Sequence, residues 1–559
     1  MDPSTRAEKP GESPQNSLPY WSLIFDQCPI TQQMRDWKYE GSGTSGDPFV
    51  IDWIENDARN PMNLPTPAKW MIVVIQSIST MAVSLVSSGY VGALGQIEDS
   101  FKVSDLMAIL GVSLYVLGFA LGPILWAPFS EVYGRQLVLF FTYGAMTLFN
   151  VGAIFSPNIE TLLVLRFFAG TFGASPLTNT GGVIADIFPA SQRGLAVNLY
   201  ALAPFMGPVL GPIVGGFLSE AAGLRWVLAL MALFCAICWA VCTFLVPETF
   251  APLLLRKRAD RLSQETGKSY VCHFDVSKGR PDLVDDMKVS MVRPWLLLAF
   301  EPIVLALTLY MSLLYGTLYL LFAAFPFVYQ QARGWQQGFT GLAFLGVLVG
   351  LVFGVMYNVF DNMRYTRLLS KHANPPPESR LQPMMIGSII LPIGLFWFAW
   401  TNSPSVHWMA SITAGAFFGF AMALIFVSGK NYLVDSYTLF SASALASTVI
   451  IRSLFGMAFP LFTPYMYRSL GLHWASSIPA FLSLLCTPFP FVFYKYGPVI
   501  RRKCKYAREA QLFLARDGGP LQSEEDERTT MPGNEEGELS RKISVEVNVE
   551  RNAKKMVEV

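Results

Sequence analysis

Apolar residues along this chain come in runs of about twenty, separated by short polar stretches. A bilayer core about 30 Å thick needs roughly twenty residues of helix to cross it. Twelve runs meet that length, centred on 70–93, 107–128, 136–156, 161–187, 195–219 and 226–247, then 298–328, 338–358, 383–401, 408–428, 441–466 and 474–496. The pattern predicts an all-α integral membrane protein with an N-terminal tail over 1–65, a six-helix bundle over 66–247 and a polar central loop over 248–295. A second six-helix bundle follows over 296–497, then a C-terminal tail over 498–559. The polar tails are expected to end in disorder. Two bundles of six suggest a transporter that rocks about a site between its halves, near the midplane.

Composition agrees: 52% of the 559 residues are hydrophobic and 14% charged, where a soluble chain carries about a quarter charged residues. The net charge of +1 gives no electrostatic case for nucleic acid, so the placement of charge matters more than its sum. With the N-terminus inside, the inner connections hold Arg135, Arg193, Arg364, Arg367, Lys371, Arg380 and Lys430, and the central loop adds nine more bases. The opposite connections hold only Lys102, Arg225, Arg333 and Arg468. That bias places both termini in the cytosol. Arg501, Arg502, Lys503, Lys505 and Arg508 follow the last run, where an anionic inner leaflet would attract them. No apolar leader opens the chain, so insertion falls to the first run. Cys235, Cys238 and Cys242 lie within an apolar run and Cys272-His273 has no second ligand pair, so no metal site is expected.

Three segments carry more chemistry. Between the second and third runs stands Ala127-Pro128-Phe129-Ser130-Glu131-Val132-Tyr133-Gly134-Arg135-Gln136. Gly134 allows a tight turn. Glu131 can pair with Arg135 or a neighbouring helix end, and Asp186, closing the fourth run, is the natural partner for Arg135. Such a cluster is a latch if it must break when the halves move, or else a solvated set of topology charges. In the fourth run Arg166 is set inside apolar sequence, so it faces a cavity or partner, or snorkels to the outer surface. The fifth run reads Gly207-Pro208-Val209-Leu210-Gly211-Pro212-Ile213-Val214-Gly215-Gly216. Glycines spaced by four share a face and allow close helix approach, and the prolines bend the helix.

These segments, in this order, resemble the signature motifs of the major facilitator superfamily, most closely its twelve-helix drug:proton antiporters of the fungal type. Further matching stretches are Gly41-Ser42-Gly43-Thr44, Pro247-Glu248-Thr249-Phe250, Asn431-Tyr432-Leu433-Val434-Asp435 and Arg452-Ser453-Leu454-Phe455-Gly456. The resemblance implies the major facilitator fold and proton-coupled export of drugs, toxins or metabolites from a plasma membrane, with an internal membrane such as the vacuolar as the alternative. It makes Glu131, Gly134 and Arg135 a gating turn and Arg166 a participant in proton coupling. Gly207, Pro208, Gly211, Pro212, Gly215 and Gly216 become the antiporter motif. Gln136, Ala127 and Glu131 depart from the commoner basic residue, glycine and aspartate of the family pattern.

In the seventh run Tyr315, Tyr319 and Phe322 follow i, i+4, i+7 and share a face. They form either a wall for a lipophilic or cationic substrate or ordinary helix packing. No carboxylate lies at the membrane centre, since Glu301 and Asp186 fall near the inner boundary. Gly267-Lys268-Ser269 lacks the earlier glycine of a phosphate-binding loop, Leu262 standing in its place. The four histidines form no catalytic set, so no enzyme is expected. The expected partners are a small-molecule substrate, protons and lipid, the protein is a monomer, and no cofactor is needed beyond a proton gradient. An importer of a nutrient or polyamine, or a non-transporting sensor of the same fold, is the competing reading.

Overall fold

The computed structural model describes residues 19–516, apart from 56, 281 and 372–374. The extreme ends expected to be disordered, 1–18 and 517–559, lie outside the described residues. Eleven helical stretches among the described residues are long and apolar enough to cross a membrane. The chain is a multi-pass membrane protein.

The first six are α1 (Thr66–Gly89), α2 (Asp105–Tyr133), α3 (Arg135–Ile154), α4 (Ile159–Ile187), α5 (Ala190–Ala222) and α6 (Leu224–Leu245). Two amphipathic helices, α7 (Ala251–Thr266) and α8 (Leu283–Phe300), occupy the stretch expected as a polar loop. Then come α9 (Pro302–Phe325), α10 (Phe344–Lys371), α11 (Gln382–Thr401), α12 (Trp408–Ser436), α13 (Ser441–Cys486) and α14 (Pro488–Lys503). The stretch Thr438–Lys503 is 66 residues long, about 99 Å of helix and far more than one crossing needs. Gly471 breaks it with φ 73° and ψ 176°, a left-handed backbone that only glycine adopts at little cost. The break separates the two runs expected at 441–466 and 474–496.

Packing is heaviest within each set of helices, α1 on α5 and α2 on α4, then α9 on α13 and α10 on α12. The sets meet where α2 lies on α13 and α5 on α10.

The described part of the N-terminal stretch before α1 is folded against the bundle. Residues 49–51 form β1, which pairs in parallel with β2 at 270–272, Phe49 opposite Tyr270. Ile51, Leu255, Ala259, Leu262 and Cys272 close a small core between them. Asp57 and Arg258 form a buried ion pair at 2.6 Å, and the Arg258 guanidinium stacks 5.0 Å from the Trp53 ring centre. Arg59, also buried, donates to the carbonyls of Gln27 and Glu248. A few apolar side chains sufficed to order the segment because two arginines and a strand gave it partners. This clamp sits at the end of the bundle where α2 turns into α3.

Candidate functional site

At that turn Gly134 has φ 96° and ψ 160°, outside the range other residues tolerate, so α2 and α3 meet with Gly134 alone between them. The carboxylate controlling the turn is Glu248. Fully buried, it accepts from the backbone N–H groups of Arg135 (3.0 Å), Gln136 (3.1 Å), Thr249 and Phe250 (2.9 Å each). A carboxylate at a helix N-terminus meets unpaired donors and the positive end of the helix dipole together. Arg135 reaches Asp186 at 3.5 Å and donates to Ser130 Oγ at 2.7 Å, with the Phe250 ring 5.0 Å away. The expected pairing of Arg135 with Asp186 is present, while Glu131 lies exposed at the rim of the turn. Gln136 ties the turn to the clamp by donating to the Ile24 carbonyl (3.3 Å) and accepting from Gln27 (2.8 Å). A second base there would not serve both roles.

The other half repeats the arrangement from different sequence. Arg380, before α11, pairs with Asp435 near the end of α12 at 3.0 Å, and Asp361 pairs with Arg364 at 2.7 Å. Glu378 holds Arg501, in the last turn of α14, at 2.8 Å.

Arg166 is 2% exposed. Its Nε donates to the Gly111 carbonyl at 2.6 Å and its Nη2 to that of Ser87 at 3.1 Å. The rings of Tyr90 and Tyr115 flank the guanidinium at 4.1 and 4.9 Å. It does not snorkel: carbonyls and π faces of α1 and α2 hold the charge, and no carboxylate among the described residues pairs with it.

The glycines of α5 fall on two faces. A Cβ on Gly207, Gly211 or Gly215 would strike α1, in the case of Gly207 at 2.6 Å from Met81 O and Leu85 N. Gly216 instead faces the second helix set, where a Cβ would stand 3.0 Å from Gln337 O and 3.1 Å from Gly338 Cα. Pro208 and Pro212 lie within the same helix, and the Pro212 carbonyl lies against Gly341. The seam therefore does two jobs, fixing α1 to α5 and letting α5 touch the segment ahead of α10. Glu220 accepts from Gly338 N at 3.0 Å beside it, and Asp105 pairs with Arg468 at 2.5 Å at the same end. At the clamp end, a Cβ on Gly194 would lie 2.6 Å from Asn362 Oδ1. The two sets thus approach one another at both ends.

Between the ends, Tyr315, Tyr319 and Phe322 stack along α9 with ring centres 4.9 and 5.0 Å apart. Tyr319 Oη and Ser87 Oγ lie 3.0 Å apart, a bridge from α9 to α1. All three rings are buried. They form a packed wall at the interface of the sets. Two further cations missed as site residues reach this level, Lys430 on α12 and Arg452 on α13. Lys430 had been placed in an inner connection, but α12 continues to Ser436 because Tyr432 and Leu433 bury against the core.

The family of this helical bundle, with its charged α2–α3 turn, glycine seam and two-set plan, is decided by the match of residues 76–449 to the family model of the Major Facilitator Superfamily. The chain belongs to that superfamily. It is 54% identical to the "Major facilitator superfamily multidrug transporter mdrA" of Aspergillus fumigatus over 91% of this chain and 84% of that protein. It is likewise 54% identical to the "MFS-type efflux pump MFS2" of Trichophyton rubrum, over 89% of this chain and 84% of that one. Among solved structures, the superfamily's proton:xylose symporter XylE aligns with a TM-score of 0.56 at 15% identity, over 78% of this chain and 96% of that chain. That likeness bears on the fold alone. Membership of this superfamily makes the chain a membrane transporter.

Proposed function

We propose that this protein exports small amphipathic organic molecules across the plasma membrane by proton antiport, through alternating access in a twelve-span fold with both termini cytosolic. The observation carrying export is the 54% identity, over nine-tenths of the chain, to a protein named a multidrug transporter. Gly471 divides the last long stretch into two crossings, which supports twelve spans in two bundles, 66–247 and 296–497. The clamp, the α2–α3 turn and most of the bases then face the cytosol, consistent with the inner excess of positive charge.

Alternating access needs contacts at each end that can break in turn. The glycine approach of α5 to the segment before α10 is the outer one. The Arg135–Asp186 and Arg380–Asp435 pairs, each inside its own bundle, stiffen the inner ends that must part as rigid bodies. Arg166 stands between α1, α2 and α4 as a charge without a carboxylate, and a group so placed is a reasonable element of the proton-linked step.

The test is retention of Nile red and of fluorescein, a neutral and an acidic dye, in yeast cells expressing the protein. Export lowers retention of at least one dye, the difference vanishes with a protonophore, and Arg166→Ala abolishes it. Retention that rises on expression would refute export, and export untouched by the protonophore would refute proton coupling.

A further inference from the structure

The spanning helices bury cations and leave them without acids. Acids on those helices sit in the first or last turn, apart from Asp361, which is committed to Arg364. Arg166, Lys430 and Arg452 lie deeper. Lys430 stands about 9 Å from the end of α12 and Arg452 about 17 Å from the start of α13, at 1.5 Å per residue. Neither has an ion pair among the described residues. Arg452 is 5% exposed, and its Nε is sealed from solvent without a hydrogen-bond partner. Lys430 is enclosed by protein yet keeps some accessible surface, as a side chain does when it faces an interior space.

The helices that carry them, α12 and α13, pack against one another, and each cation lies within the electrostatic reach of the other. Around them stand groups from both bundles. The Arg452 guanidinium lies 5.0 Å from the Tyr315 ring on α9 and within electrostatic reach of Tyr200 on α5. The Tyr200 hydroxyl itself donates to the Leu177 carbonyl at 3.0 Å, so the free positive charge belongs to Lys430 and Arg452. Two cations without ion-pair partners among the described residues therefore stand, from α12 and α13, beside the tyrosine wall of α9.

Two like charges held in a low-dielectric interior are unfavourable unless something of opposite sign visits them. We propose that Lys430 and Arg452 form an anion site that binds the carboxylate of an aromatic organic acid, with the acid's ring against Tyr315. Arg452 offers the planar fork that matches a carboxylate and Lys430 a point charge. The site favours acids over the cationic substrates that aromatic walls alone would suggest, because a cation here meets two positive charges. The inference rests on the transport reading and names its substrate class.

The test uses purified full-length protein and three matched probes: 2-naphthoate, its neutral 2-naphthamide and the cation 2-naphthylmethylammonium. Binding is followed by quenching of tryptophan fluorescence. The naphthoate binds about tenfold or more tightly than the amide, as a charge-assisted contact predicts, and the ammonium binds weakest. Lys430→Gln and Arg452→Gln each bring the acid-to-amide ratio to about one, and Lys430→Arg restores it. Equal affinities in the wild type, preference for the ammonium, no binding of any probe, or a ratio unmoved by Lys430→Gln would each overturn the site. Should Arg452→Gln misfold, Lys430→Gln decides, because Lys430 is the partly accessible member of the pair. Nile red and fluorescein export separates the two claims. If neither dye is moved the transport reading falls, and if they are moved while the ratio is one the anion site alone falls.

Discussion

Replacing Gly207 with alanine tests how tightly α5 is seated on α1. The added methyl carbon would stand 2.6 Å from Met81 O and from Leu85 N, both backbone atoms that cannot swing aside. Ordinary contact lies near 3.5 Å, so the two helices must part by about 0.9 Å at this level. Ser88 also donates to the Gly207 carbonyl at 3.1 Å, and separation lengthens that bond. Overpacking of this kind costs about 1–3 kcal/mol, and the weakened hydrogen bond adds up to about 1 kcal/mol. The control is Gly181→Ala on α4, where an added Cβ meets nothing within 4 Å. The midpoint of thermal unfolding of the purified protein, read by tryptophan fluorescence, is expected to fall by about 2–4 °C for Gly207→Ala. Gly181→Ala should stay within about 1 °C of the wild type. Equal midpoints for both variants would mean that the seam is not a close contact, and the argument for the fifth-helix glycines would fail with it.

Gly216→Ala is expected to leave the melting temperature nearly unchanged while slowing dye export several-fold, since its neighbours, Gln337 and Gly338, belong to the opposite helix set and the proposed alternating access requires that contact to form and break. Glu248→Gln puts an amide where a carboxylate accepts four backbone N–H groups, and a loss of about 2 kcal/mol should appear in the same melting assay. Asp57→Ala leaves Arg258 buried and unpaired at about 3–5 kcal/mol, enough to release the clamp; limited proteolysis should then cut between residues 19 and 65, while the helical core resists. Burial raises the Cys28 thiol above its ordinary pKa, and its Sγ donates to the Leu254 carbonyl at 3.2 Å. A raised pKa means less thiolate at any given pH, so in a chain with Cys28 as its single cysteine maleimide labels slowly at pH 7. The rate should climb with pH, and it should jump at pH 7 in the Asp57→Ala background.

The spanning helices were legible because burial in lipid demands length and apolarity, which sequence displays directly. Gly471 is instructive: the dip between two apolar runs marked the break, although the backbone stays helical on both sides of it. The α2–α3 turn was legible as far as Arg135 and Asp186, whose roles follow from adjacency to helix ends. Glu248 was not, because nothing local says that a carboxylate after α6 will cap the helix that begins at Arg135, more than a hundred residues earlier. The same limit hid the clamp, where Asp57 finds Arg258 and β1 finds β2. Lys430 was misplaced for a different reason. Its neighbours Asn431 and Asp435 look like a polar connection, and only the burial of Tyr432 and Leu433 shows the helix continuing past it. The aromatic wall was readable as a shared face, whereas the two cations meeting at its level come from helices adjacent only in the folded chain.

The pairing of β1 with β2 also dictates an order of events during synthesis. Phe49 leaves the ribosome about 220 residues before its partner Tyr270. At about 5–20 residues per second that is an interval of roughly 11–44 seconds. For most of it Ile51 and Trp53 lack the α7 side chains they pack against, while the first six spans enter the bilayer one after another. A chaperone that shields short apolar stretches has its opportunity in that window. The clamp closes only after α7 has emerged, so its closure reports that the first bundle has been made, and a chain stalled earlier displays an unprotected segment that quality control can read.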